Sequence, residues 1–106
     1  MNESEFLKLT DRLFSRIDEA LEQAGLDVDS VLNGNVLEIE FEDGGKIVVN
    51  RHSANQEVWI AAKSGGYHFA LQADGRWIAA RDGAEFFSTL SQAVRAASGE
   101  DFELSA

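Results

Sequence analysis

From Val36 to Glu42 apolar and polar residues alternate strictly: Leu37, Ile39 and Phe41 fall on one side, Glu38, Glu40 and Glu42 on the other. A period of two is that of a strand with one buried and one wet face. The same period runs through Glu57 to Ala62, where Val58, Ile60 and Ala62 oppose Glu57, Trp59 and Ala61. If the aliphatic set faces the core, Trp59 faces out. A large aromatic on the open face of a sheet has no folding duty that a smaller residue would not perform, so it suggests a contact surface.

Parity constrains the connections, because a slip of one residue carries every side chain to the wrong face. A three-residue loop Asp43-Gly44-Gly45 pairs Phe41 with Ile47, Ile39 with Val49 and Glu42 with Lys46. Val49 opposite Val58 leaves a loop of His52 to Asn55 and sets Asn50 on the outer face with Trp59. Ser64-Gly65-Gly66 turns into a strand with Tyr67, Phe69 and Leu71 inward, and the loop Ala73-Asp74-Gly75 brings Leu71 opposite Trp77. Five consecutive antiparallel strands result.

Ahead of them the period changes. Phe6, Leu9, Leu13, Ile17, Ala20 and Ala24 recur at three- and four-residue spacing, predicting a helix over residues 3–24 that Asn2 caps and Gly25 stops. At about 100° per residue, Asp11, Asp18 and Glu22 fall opposite that stripe with Glu19 nearby. Lys8, Arg12 and Arg16 lie between the two sectors, and Leu7 and Phe14 edge the stripe, a flank of the core for the C-terminal tail to cover. Residues 25–30 read as an acidic connection to a turn at Asn33-Gly34-Asn35. Asp27, Asp29 and Glu38 superficially echo a calcium loop, but Val31 and Leu32 stand where it needs an oxygen ligand and a glycine. After Asp82-Gly83, a second helix over residues 84–97 presents Phe86, Leu90, Ala93, Val94 and Ala97, with Phe102 and Leu104 in the tail placed to lie against the helices.

Both helices must cover the same face of the sheet, since the other carries Glu38, Glu40, Lys46, Asn50, Glu57 and His68. The expected fold is α+β: a two-layer α/β sandwich with the N- and C-terminal helices on one face of a five-stranded, at most six-stranded, antiparallel sheet. One domain spans residues 1–106.

Composition narrows the chemistry. There is no cysteine, which removes disulfides, thiolate metal sites and cysteine nucleophiles. A formal net charge of -10 argues against nucleic acid and anionic membrane, and favours cations and basic proteins. No apolar run approaches the ~20 residues of a membrane span, and the start MNESEF lacks the pattern of a signal peptide, so a cytoplasmic protein is expected. No nucleophile–base set or phosphate loop stands at readable spacing. His68 reads as an exposed strand residue, His52 as a loop residue, and Tyr67, Phe69 and Trp77 as core.

In order along the chain stand Asn33-Gly34, Val36-Leu37, Phe41-Glu42, Gly44, Lys46-Ile47, Asn50-Arg51, Val58-Trp59, Ala61, Lys63, Gly65-Gly66-Tyr67-His68-Phe69, Trp77-Ile78, Arg81, Gly83 and Phe86. With the acidic first helix, this set resembles the bacterial frataxin family over essentially the whole chain. The resemblance implies a non-enzymatic role in iron-sulfur cluster assembly: iron (Fe2+/Fe3+) held weakly on a surface acidic ridge, and docking on a cysteine desulfurase and a scaffold protein. It implies a monomer that oligomerises with iron. Carried over by position, the metal-binding ridge corresponds to Asp11, Asp18, Glu19, Glu22, Asp27, Asp29, Glu38, Glu40, Glu42 and Asp43, and partner docking to Asn50, Trp59, Glu19 and Glu22. Iron oxidation at the ridge is the lesser reading. Departures from the family pattern are Gln23 for an acid, Leu7 for a histidine, and Glu57 for the glutamine before Val-Trp. From the residues alone, an acidic module that imitates a polyanion, without a metal role, is the alternative.

Overall fold

A computed structural model describes residues 1–105. The elements follow the order α1 (Glu3–Gln23), β1 (Val28–Asn33), β2 (Val36–Phe41), β3 (Lys46–His52), β4 (Glu57–Ala62), β5 (Gly65–Leu71), β6 (Trp77–Ile78) and α2 (Phe86–Ser98). The six strands form one antiparallel meander with neighbours in sequence order. Leu37, Ile39, Ile47, Val49, Val58, Ile60, Phe69 and Trp77 point from the sheet into a core completed by both helices and by Phe102 and Leu104 of the tail. The other face of the sheet is open, so the two-layer sandwich is the fold.

Asn2 caps α1 by accepting the Glu5 N–H at 2.8 Å. The buried stripe of α1 is Phe6, Thr10, Leu13, Phe14, Ile17 and Leu21, rotated by about 45° at roughly 100° per residue from the stripe expected. Leu9 is exposed at 36%, and Ala24 also faces solvent. The sequence offers apolar side chains on both sides of this line, and packing selects the set with the larger rings. Phe14 is therefore core and not flank, and Thr10 is admitted because its hydroxyl donates to the Phe6 carbonyl at 2.8 Å.

Two registers differ from expectation by two residues, which leaves every face assignment intact. Ile39 opposes Ile47, and Phe41 bonds Gly45, so the first hairpin loop is Glu42-Asp43-Gly44. Glu42 thus sits in the turn, and Glu40 is opposite Lys46. The reason is that a three-residue loop wants its left-handed residue last. Gly44 has φ 87 and the Asp43 carboxylate accepts the Gly45 N–H at 2.8 Å. The β5–β6 loop Ala73-Asp74-Gly75 is built the same way, and there Leu71 does oppose Trp77. Between β3 and β4, Val49 opposes Ile60 and Asn50 directly opposes Trp59. His52 is the last residue of β3, and the loop runs over residues 53–56 with Gln56 at φ 53. Between β4 and β5, Ala62 opposes Gly65, so the turn is Lys63-Ser64 rather than Ser64-Gly65-Gly66, and both glycines belong to β5.

The stretch read as a connection contains a sixth strand. Five of the six residues of β1 are exposed, so it buries no alternating set and leaves no periodic signature; its hydrogen bonds to β2 alone make it a strand. α2 starts at Phe86, with Glu85 as cap accepting the Phe87 and Ser88 N–H groups. Ser91 ties the tail by accepting the Leu104 N–H at 3.0 Å, and Arg95 donates to the Phe102 carbonyl at 2.8 Å.

Candidate acidic ridge and indole surface

The rotation of α1 moves its acids. Asp11, Asp18 and Glu22 lie on the flank of the helix rather than its back, about 90–130° from the buried stripe, and that flank borders β1. Asp18 there accepts a hydrogen bond from the Ser30 hydroxyl of β1. Glu19 stays on the exposed back.

The clamp that sets this placement is Arg51 on β3. Its Nη1 donates to Asp11 Oδ1 at 2.5 Å, Thr10 Oγ1 at 3.1 Å and the Leu7 carbonyl at 3.4 Å. Its Nε donates to Asn35 Oδ1 at 3.1 Å, and the guanidinium lies 5.4 Å from the Phe14 ring centre. Asp11 is thereby neutralised by an arginine and is the ridge acid least free to meet a cation.

Past α1 the acids gather along the β1 side of the molecule in three shallow clefts. One of about 410 Å³ has Asp18 and Glu22 on its walls. A second of about 360 Å³ has Asp27, Asp29, Glu40 and Glu42. A third of about 180 Å³ has Asp27, Glu42, Asp43 and Glu100. Asp29 and Glu40 are direct cross-strand partners, a like-charged pair that a bound cation would relieve. Glu38 stands apart, ion-paired with Lys46 at 3.3 Å. Among the described residues, Glu19, Glu22, Asp27, Asp29, Glu40, Glu42 and Asp43 make no ion pair. Glu100 escaped the sequence reading because it follows α2, far along the chain from Asp27, Glu42 and Asp43, the acids it joins. Among the described residues no three His, Asp or Glu side chains converge on one point. The band offers hard oxygen donors singly or in pairs, with water to complete a coordination shell.

On the open face of the sheet Trp59 is half-buried. His52 of β3 lies against one side of the indole, ring centres 3.7 Å apart and planes tilted by 31°, and His68 of β5 stacks on the other at 3.8 Å with planes 8° from parallel. The Trp59 Nε1–H donates to Glu57 at 2.9 Å, and Asn50 Nδ2 lies 3.1 Å from His52 Nε2. Neither histidine was expected in this role. The register placing His68 opposite Trp59, and Asn50 beside it, is what brings the three rings into line. Asp74, in the β5–β6 turn away from both surfaces, has its carboxyl held below the usual range by the Arg76 backbone N–H and guanidinium.

A family model described as "Frataxin-like domain" matches residues 1–100. The chain belongs to the frataxin family. The iron-sulfur cluster assembly protein CyaY of Chromobacterium violaceum is 59% identical over 103 residues, 97% of each chain. That of Neisseria meningitidis serogroup B is 53% identical over 104 residues, covering 98% of this chain and 96% of that one. Among solved structures, frataxin from Psychromonas ingrahamii superposes with a TM-score of 0.91 at 39% identity, both chains fully covered. A trimeric frataxin from the yeast Saccharomyces cerevisiae, in a ferrous complex, gives 0.70 at 25% identity, covering 94% of this chain and 88% of that one. Among the described residues of this frataxin, no helix is long and apolar enough to cross a membrane.

Proposed function

We propose that this frataxin is a non-enzymatic, cytoplasmic component of iron-sulfur cluster assembly that takes iron as weakly held cargo on its acidic band and docks on a cysteine desulfurase and its scaffold. The observation that carries the reading is the run of carboxylates without basic partners along the β1 side, from Glu22 through Asp27, Asp29, Glu40, Glu42 and Asp43. Solvated acids in ones and twos hold a hard cation loosely, which suits transfer and not storage. The relatives named for cluster assembly and the ferrous complex of the yeast protein support the same role. Docking falls to two surfaces: Glu19 and Glu22 for a basic patch, and Asn50 with Trp59 for an apolar or aromatic one.

The experiment is a titration of the labelled protein with ferrous, ferric or cobalt ion, read by NMR. Signals of Asp18, Glu22, Asp29 and Glu40 should broaden or shift while Ile60 and Phe69 stay still. Absence of localised change at millimolar metal would sink the iron reading. A polyanion mimic without a metal role draws on the lack of three converging donors among the described residues. Pull-down of nucleic-acid-binding proteins, with neither desulfurase nor scaffold recovered, would favour that second reading.

A further inference from the structure

Among the described residues β1 is the edge of the sheet, with β2 on one side and no strand on the other. The turn joining them has two residues, Gly34 and Asn35, so Asn33–Val36 is a hydrogen-bonded pair and the pairs alternate from there. Ser30 and Leu32 therefore turn their N–H and C=O groups away from β2, whereas the Val28 N–H is taken by the Leu26 carbonyl. Natural edges are blunted by charged side chains, lysine above all, by proline or by a bulge, and the one charge on β1 is Asp29. The strand has no lysine, proline or bulge, and its six pairs with β2 are unbroken. It also carries exposed aliphatic side chains: Val31 on the open face at 60% and Leu32 on the helical side at 50%.

Charge decides what fits. Asp27 lies just before the strand and Asp29 on it, and Asp18 and Glu22 line the cleft behind Ser30. Two copies meeting edge to edge would bring the same carboxylates face to face, which opposes self-pairing. A chain of opposite charge meets the reverse situation. We infer that the β1 edge is a strand-addition site for an extended polypeptide segment in which lysine or arginine alternates with aliphatic residues. Its backbone pairs with Ser30 and Leu32, its aliphatic side chains lie beside Val31 or Leu32, and its cations lie among Asp18, Glu22 and Asp29. This surface is separate from the Trp59 face and needs no iron.

The test uses the full chain and an end-blocked octapeptide of alternating lysine and valine. Bound peptide should shift the amides of Ser30 and Leu32 and slow their hydrogen exchange at least tenfold. The same peptide N-methylated at every residue keeps its charge and loses its donors, and should give neither effect. Val31→Lys, at an exposed position, should weaken binding at least tenfold with the melting temperature unchanged. Equal binding of the methylated peptide would overturn the inference in favour of plain charge attraction. Shifts centred on Trp59, or edge protection that grows with protein concentration in the absence of peptide, would overturn it as well.

Discussion

Replacing Arg51 with alanine should destabilise this frataxin by about 3 kcal/mol, and most of that loss should come from the buried end of the interaction. The Arg51 side chain is 12% exposed, while its ionic partner Asp11 is 63% exposed. A hydrogen bond to a charged group contributes about 1.5–3 kcal/mol net, and a partly desolvated cation over a ring about 1–2. Truncation removes the bonds to Thr10 Oγ1 and the Leu7 carbonyl, together with the contact on Phe14. An exposed ion pair, by contrast, contributes about 0–1 kcal/mol. Asp11→Ala should therefore cost under about 1 kcal/mol, although it breaks the shortest of these bonds. Thermal unfolding followed by circular dichroism reads the difference: a drop of roughly 12–18 °C for Arg51→Ala against a few degrees for Asp11→Ala. In ~1 M salt the Asp11 effect should vanish and the Arg51 effect persist, because salt screens the exposed pair and not the buried contacts. Arg51→Lys should fall between, keeping the charge but losing the fork. Equal losses for Arg51→Ala and Asp11→Ala would refute the reasoning, since the ion pair would then be the source of the stability. The clamp also fixes the phase of α1 over the sheet, so Arg51→Ala should move the NMR signals of Asp18 and Ser30.

Trp59→Ala removes two ring contacts on the open face and should cost about 1–2 kcal/mol, well short of the 2–5 expected for the core change Ile60→Ala in the same strand. If the proposed docking on the scaffold uses this face, it should weaken more than stability does, as measured by binding below the melting transition. Ser91→Ala leaves the Leu104 N–H and carbonyl without their buried partner, and should cost about 1–3 kcal/mol. Faster amide exchange at Phe102 and Leu104 would mark the tail as the part released. Reversing the charge of Glu22 and Glu40 together should reduce cobalt-induced shifts along the acidic band while leaving the unfolding free energy within about 0.5 kcal/mol of the parent, as befits exposed surface positions.

The alternation of Leu37, Ile39 and Phe41, and of Val58, Ile60 and Ala62, was enough to assign every central strand its inner and outer face and so the two-layer fold. Strand parity is local, and it survived registers that were two residues out. What faces what across strands is not local. It follows from which loop residue takes a left-handed conformation, and the loop Ala73-Asp74-Gly75 contained the template that would have placed Glu42-Asp43-Gly44 correctly. The phase of α1 was beyond the helical period alone, because Leu9 and Phe14 are equally apolar and the position of the sheet decided which was buried. β1 was beyond it too, since an edge strand that buries almost nothing has no apolar rhythm to read. The acidic band and the His52–Trp59–His68 stack combine both sources. Their residue types stand in the chain, but pairing of β2 with β1, and of β4 with β3 and β5, makes neighbours of side chains many positions apart, and those contacts form when backbone hydrogen bonds close the sheet.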